Sequence, residues 1–273
     1  MRLACGSRLL DLSVPVVMGI VNVTPDSFSD GGRFHAPDAA LRHAEQLIAE
    51  GAAIVDIGGE STRPGAAEVS EAEEIDRVVP VIERLSGSDV VISVDTSKPG
   101  VMRAAVAAGA AFINDIRGLR TAEALAAACA LPAAVSIMHM QGEPATMQRN
   151  PRYNDVVSEV RDFLSNRAQA CLAAGTDCER IVIDPGFGFG KDLSHNLQLL
   201  RALPQFVALG FPVLVGLSRK SMLGQLTGRP VDQRLAGSVA LATVAVLRGA
   251  HILRAHDVAA TVDAIKVAAP LTD

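Results

Sequence analysis

Apolar residues recur along this chain in two alternating rhythms. Short runs rich in β-branched residues end on a polar position, and each is followed by a longer stretch with helical spacing. Met18–Asn22, Ile54–Ile57, Val90–Val94, Ala111–Ile113, Ala133–Met138, Ile181–Ile183, Pro212–Leu217 and His251–Leu253 read as buried strands. Helices are expected over Asp38–Glu50, Ser70–Leu85, Lys98–Ala108, from Thr121, over Asp155–Ala174, from Ser194, over Arg234–Arg248 and from Asp257. Ser70-x-x-Glu73 has the form of a capping box, and Asp257 that of an N-cap. Arg2–Ser13 reads as a small hairpin turning at Cys5-Gly6-Ser7.

Strand and helix thus alternate through eight units, with no Pro/Gly/Ser-rich linker and no break in composition. The pattern predicts a single (β/α)₈ TIM barrel over residues 1–273, with a short N-terminal β-hairpin. A doubly wound open sheet is the alternative, because strand order is not written in the sequence.

Polar residues stand at nearly every strand end, where a barrel keeps its chemistry. Residues two apart on a strand share a face. Asn22 therefore lies with Ile20, Asp95 with Ser93, Asn114 with Phe112, Asp184 with Val182 and Arg254 with Ile252. One choice of face per strand points Asn22, Asp95, Asn114, Asp184, Lys220 and Arg254 into one mouth, with His256 just beyond. After Asp184 comes Pro185-Gly186-Phe187-Gly188-Phe189-Gly190-Lys191. This glycine-rich stretch is expected to form a mobile loop carrying two aromatic rings.

Each residue alone has a plainer reading. A strand-end Asp such as Asp95 is as often a helix cap, Asn114 a turn former and Lys220 a solvated cation; Asp56 is taken as structural. The combination of two carboxylates, two amides, a lysine and an arginine on six strand ends is harder to dismiss. Paired carboxylates would suit a glycosidase, but sugar platforms are aromatic, and the chain has no Trp and one Tyr. Carboxylates and amides better suit a flat heterocycle with N–H donors along one edge, which an arginine plane could cover. Arg63, Arg254 and His256 add positive charge to the mouth of a protein with net charge −5, which suggests an anionic substrate or leaving group.

Other classes are excluded. The acidic balance and the lack of a basic run argue against nucleic acid. No apolar run approaches a membrane span, and the N-terminus lacks a secretory pattern. Gly186–Lys191 has lysine where a dinucleotide fingerprint needs its last glycine, and Asp192 where a Walker A loop needs Ser or Thr. The four cysteines lack C-x-x-C spacing and the histidines are scattered, so neither zinc nor disulfides are indicated, and a reduced cytoplasmic setting is expected.

With these stretches in view, the chain closely resembles the dihydropteroate synthase family. The matching segments are Gly19–Gly32, Asp56–Gly65, Ser93–Lys98, Asn114-Asp115, Met138–Gly142, Asp184–Lys191, Ser218–Leu223 and Arg254-Ala255-His256. They run from the first barrel strand to the last. The resemblance implies the stand-alone bacterial form, which joins 6-hydroxymethyl-7,8-dihydropterin diphosphate to p-aminobenzoate and releases pyrophosphate. It implies Asp95, Asn114, Asp184 and Lys220 on the pterin edge and Arg254 over the ring. It further implies Asn22, Thr62, Arg63, Arg254 and His256 on the diphosphate, with Mg²⁺ near Asn22. Phe28, Arg63, Pro64, Phe189, Lys220 and Ser221 would line the p-aminobenzoate site once the first two loops close. Small-molecule substrates, a homodimer and sulfonamide inhibition are expected with it. The related readings are a methyltetrahydrofolate–corrinoid methyltransferase, which would not need the diphosphate group, and a non-catalytic pterin-binding paralogue.

Overall fold

The computed structural model of the chain describes residues 1–23, 36–61 and 69–272. Strands β1 (Arg2–Cys5) and β2 (Arg8–Asp11) form the expected hairpin. Gly6 turns it at a φ of +61°, a value that favours glycine.

Eight parallel strands follow: β3 (Val16–Asn22), β4 (Ile54–Gly58), β5 (Val91–Asp95), β6 (Phe112–Asp115), β7 (Ala134–Met138), β8 (Ile181–Asp184), β9 (Leu214–Val215) and β10 (Ile252–Ala255). Each pairs with its neighbour in sequence, and β10 pairs with β3. The remaining gap, between β8 and β9, is bridged at Ile183 and Val213, where Ile183 N–H donates to the Pro212 carbonyl at 3.0 Å. That closure decides for the barrel and against the doubly wound sheet. Strand β9 is much shorter than the stretch read from sequence. Pro212 has no N–H for the ladder, and Gly216 leaves the strand straight after Val215.

The helices are α1 (Ala36–Ala49), α2 (Glu71–Leu85), α3 (Pro99–Ala108), α4 (Ala122–Ala130), α5 (Val156–Ala173), α6 (Leu193–Arg201), α7 (Leu203–Val207), α8 (Ser221–Thr227), α9 (Leu235–Leu247) and α10 (Val258–Ala268). Ser70 caps α2 by accepting from Glu73 N–H at 3.2 Å, but the reciprocal half of the box is not made: Glu73 turns to Arg77 instead, at 2.6 Å. Asp192 and His195 form a reciprocal pair at the start of α6. Asp257 caps nothing with its side chain, because its carboxylate receives Arg219 at 2.5 and 3.0 Å. Helices α7 and α8 were not expected; each is too short to show a helical period, and the second contains Gly224, a poor helix former.

Two cores result. The larger lies between the barrel and its helices. The smaller fills the bottom of the barrel, where Met18, Ile54, Val91, Phe112, Ala134, Val182, Leu214 and Ile252 give one side chain per strand. Leu3, Cys5 and Leu12 close it from below, so the hairpin is a plug. With the bottom filled by apolar groups, the polar residues on the same strand faces are left to the top.

Candidate active site

Moving two residues up the inward faces, Ile54 gives way to Asp56, Val91 to Ser93, Phe112 to Asn114, Val182 to Asp184 and Ile252 to Arg254. This follows from the two-residue period alone, and it brings Asp95, Asn114, Asp184 and Arg254 together as expected. Asn22 and Ser221 lie at the ends of the elements that carry them, Asn22 closing β3 and Ser221 opening α8. Phe28, Thr62, Arg63 and Pro64 lie outside the described residues.

The centre of the arrangement is a residue read as merely structural. Asp56 is fully buried, and its carboxylate accepts from Ser93 Oγ at 2.6 Å, Asn114 Nδ2 at 3.0 Å and Arg254 Nε at 2.7 Å. Arg254 also donates through Nη2 to Asp95 Oδ2 at 2.8 Å. The guanidinium therefore spans two carboxylates, while Nη1 takes no part in those bonds. Asp56 also turns the Asn114 amide so that its nitrogen faces the carboxylate. Face-sharing with Ile54 was the available signal for Asp56.

Burial shifts the acids upward. Asp95 is pushed up to about 7 by burial, with Arg254 pulling it down and Asp56 pushing it further up. Asp184 rises to about 6, again chiefly by burial, opposed by the Gly186 N–H at 2.7 Å and by Lys220 and Lys191. Burial and the nearby Arg254 lower Lys220 to about 8, although Asp184 and Asp95 favour its charge. For Arg254 burial works against the cation, but Asp56 and Asp95 outweigh it and hold the group above its ordinary value.

His256 is brought down to about 4 by burial and by Arg219 and Arg254, and its Nδ1 lies 3.1 Å from Ser218 Oγ. It is neutral near pH 7. Of the three cations expected from sequence, Arg254 is matched by Asp56 and Asp95, burial opposes the charge of His256, and Arg63 lies outside the described residues; Lys220 adds a further cation at the mouth.

The loop after β8 departs most from expectation. It is anchored through its backbone by Lys191, Asn196 and Tyr153. Phe187 is buried in the larger core, leaving Phe189 alone to face the site, with its ring 4.2 Å from Lys220 Nζ. Met138, Met140 and Met147 pack behind Phe189. Gly186 sits at a φ of +69°, and a Cβ there would fall 1.9 Å from the His139 carbonyl oxygen, so no other residue fits without moving the backbone. Buried Lys191 and Asn196 hold this loop from within, and nothing in their sequence context announced it.

Chemically, the mouth offers carboxylate acceptors, an amide, a lysine and a guanidinium plane around a space walled by Phe189. This is suited to the edge and face of a flat, donor-bearing ring. The family profile described as pterin binding enzyme matches residues 18–256. A dihydropteroate synthase of Haemophilus influenzae is 56% identical over 268 residues, covering 98% of each chain. Among solved structures, the Yersinia pestis dihydropteroate synthase with a sulfonamide drug complex superposes with a TM-score of 0.94 at 51% identity, covering 99% of both chains. The Xanthomonas albilineans dihydropteroate synthase in complex with 7,8-dihydropteroate gives 0.89 at 53% identity, covering 98% of this chain and 97% of that one.

Proposed function

The chain belongs to the pterin-binding enzymes and, within them, to the dihydropteroate synthase family, and from that premise we propose how its residues divide the work. The reaction is a transfer: 6-hydroxymethyl-7,8-dihydropterin diphosphate and p-aminobenzoate give 7,8-dihydropteroate and pyrophosphate. Membership of this family, rather than of the corrinoid methyltransferases or of a binding-only branch, decides between the readings that the sequence left open.

Asp184, Asp95, Asn114 and Lys220 take the pterin edge. A buried carboxylate accepts from neighbouring N–H groups of the ring, the Asn114 oxygen accepts where its nitrogen is engaged by Asp56, and Lys220 donates to a ring oxygen or nitrogen. Arg254 covers the ring face, its plane fixed by Asp56 and Asp95, and together with His256, Asn22, Thr62 and Arg63 it holds the diphosphate. Phe28, Arg63, Pro64, Phe189, Lys220 and Ser221 receive p-aminobenzoate. The observation that carries this reading is the Asp56–Arg254–Asp95 bridge beside Asn114 and Asp184. It pre-sets one plane and several edge acceptors around a single space.

No protein nucleophile is required. The C–O bond to the diphosphate breaks with its electrons on oxygen, the arylamine nitrogen bonds to the methylene carbon, and the amine gives up a proton. Cations around the departing oxygens stabilise that charge. The electron-rich ring shares positive charge developing at the methylene, which favours a dissociative path. Closed loops hold the amine close and keep water from that carbon. Asn22 supplies a neutral oxygen donor at a strand end. It fits Mg²⁺ that retains water and arrives with phosphate oxygens, for which the ion would offset charge on the leaving group.

Helix α9 supports a homodimer. Val244 and Leu247 are exposed on it, and with exposed Ala236 and Ala240 they make a stripe along one face. No helix among the described residues is long and apolar enough to cross a membrane. Four free cysteines, three of them buried, suit the reduced cytoplasm. Residues 1–273 then act as one catalytic domain.

The test is pyrophosphate release from the pterin diphosphate, coupled to a colour reaction, with and without p-aminobenzoate at fixed Mg²⁺. Release that depends on the arylamine supports the assignment; release indifferent to it contradicts the assignment.

A further inference from the structure

Lys191 turns back beneath the loop after β8 and is only 2% exposed. Its Nζ lies 2.9 Å from the Gly186 carbonyl oxygen, 3.0 Å from that of Phe189 and 3.2 Å from that of His139. His139 Nδ1 is a fourth neighbour at 3.0 Å. In its ammonium form Lys191 has three hydrogens and accepts nothing, and in that state Nδ1 is the acceptor and His139 carries its proton on Nε2. His139 is accordingly far below the usual histidine range, down to about 2, through burial and then the charge of Lys191.

The backbone explains why a cation is placed there. Gly186, Gly188 and Gly190 all have positive φ, at +69°, +79° and +63°. The loop they shape brings the carbonyls of Gly186 and Phe189 onto one buried point. Carbonyls turned away from water need donors, and one ammonium serves both. Asp184 favours its charge electrostatically, while burial opposes it and lowers Lys191 to about 7. From the other side, Asn196 Oδ1 accepts from Gly188 N–H at 2.7 Å, and Tyr153 donates to the Gly190 carbonyl at 2.8 Å.

What the loop presents to the site depends on this support. Phe189 sits against Lys220, and the Gly188 backbone lies so near the Lys220 stem that a Cβ would come within 3.1 Å of Cδ. We propose that Lys191 is a positioning residue for the arylamine half of the reaction: holding the loop carbonyls from below, it sets the ring of Phe189 that walls the arylamine site. This rests on the reading of Phe189 as a p-aminobenzoate contact. The loop also gives Asp184 its Gly186 N–H, but that bond spans two residues at the end of β8 and is anchored by the strand.

The experiment compares Lys191→Met, which keeps length and loses every donor, with Lys191→Gln, which is shorter and keeps a donor. Wild-type pyrophosphate release in the presence of p-aminobenzoate tests the functional reading by itself; the variants are then measured against it. For Lys191→Met, the KM for p-aminobenzoate should rise about tenfold or more, since small misplacements of a binding wall are costly. Calorimetric affinity for the pterin diphosphate should stay within about threefold, and Lys191→Gln should fall between Met and wild type. Unchanged KM, or parallel loss of both ligands with a lowered Tm, would make Lys191 a structural residue only. Failure of both variants to fold would overturn the proposal in the same way.

Discussion

Asp56 and Arg254 meet at 2.7 Å across the top of the barrel, carboxylate Oδ2 to guanidinium Nε. The two residues are far apart in sequence and close in space because β4 and β10 flank β3. Asp56 is fully buried, so it has no surface to offer a substrate. Its influence passes through the groups it holds, Arg254 and Asn114.

Asp56→Asn should therefore leave a folded protein with a loosened Arg254. Losing one partner of a buried pair costs roughly 3–5 kcal/mol; because Arg254 is partly exposed and keeps Asp95, the lower end or less is expected here. Activity should suffer more than folding. A fall in kcat/KM of about 10²-fold, with urea unfolding still cooperative, is the expected pair of results. Near-normal kcat/KM would show that Asp95 alone orients the guanidinium.

Asp184 and Asp95 give a pH signature. Both are raised above the ordinary carboxylate range, to about 6 and about 7. A raised folded-state value means that the folded protein holds its proton more tightly than the unfolded chain does. The associated stability is fully present below about pH 4 and is lost as pH rises through about 6 to 7. Ligand affinity should run the other way, because the pterin edge needs the ionised acceptor. Calorimetry with phosphate-free 6-hydroxymethylpterin should show affinity about tenfold weaker at pH 5 than at pH 7. Asp184→Asn should flatten that dependence; an undiminished slope would move the effect to another group.

The apolar stripe on α9 can be tested without touching the mouth. Leu247→Asp and Val244→Asp place charge on exposed positions, so folding should change little. If the stripe pairs two copies of the chain, sedimentation should shift from dimer to monomer over the micromolar range. A wild-type protein that sediments as a monomer throughout would remove the homodimer.

Strand parity made much of the site legible beforehand. Asp95, Asn114, Asp184 and Arg254 end or nearly end their strands, and a period of two assigns them one face whatever the barrel does in detail. Asp56 sits lower on β4, inside the strand, where a carboxylate looks structural until its partners from three other strands are known. Lys191 was invisible for another reason: its partners are mainly backbone carbonyls gathered by glycine torsions, which leave no pattern in side-chain type. Asp257 shows the same limit, since an N-cap residue at the start of a helix gives no sign that Arg219 will claim it. The short β9 reflects local breaks at Pro212 and Gly216 that override an apolar run, and α8 is hidden by its length and by Gly224 within it.

His256 and Arg254 separate the two ends of the substrate. His256 lies two residues past Arg254, beside Ser218, and burial keeps it neutral at about 4. A neutral imidazole can donate one hydrogen bond to a phosphate oxygen, and a docked anion would favour its protonation. His256→Ala should thus weaken the diphosphate substrate about tenfold and hardly alter binding of phosphate-free 6-hydroxymethylpterin. Arg254→Ala should weaken both ligands, because it removes the plane over the ring as well as a donor to the anion. It also leaves Asp56 and Asp95 facing each other without their cation, so Arg254→Lys belongs in the comparison: charge retained, plane lost. Measurements need fixed Mg²⁺ and salt, because screening alone can imitate a lost charge contact. Equal weakening of both ligands by His256→Ala would make His256 part of the ring pocket, and the anion would then be held by Asn22, Arg63 and Arg254.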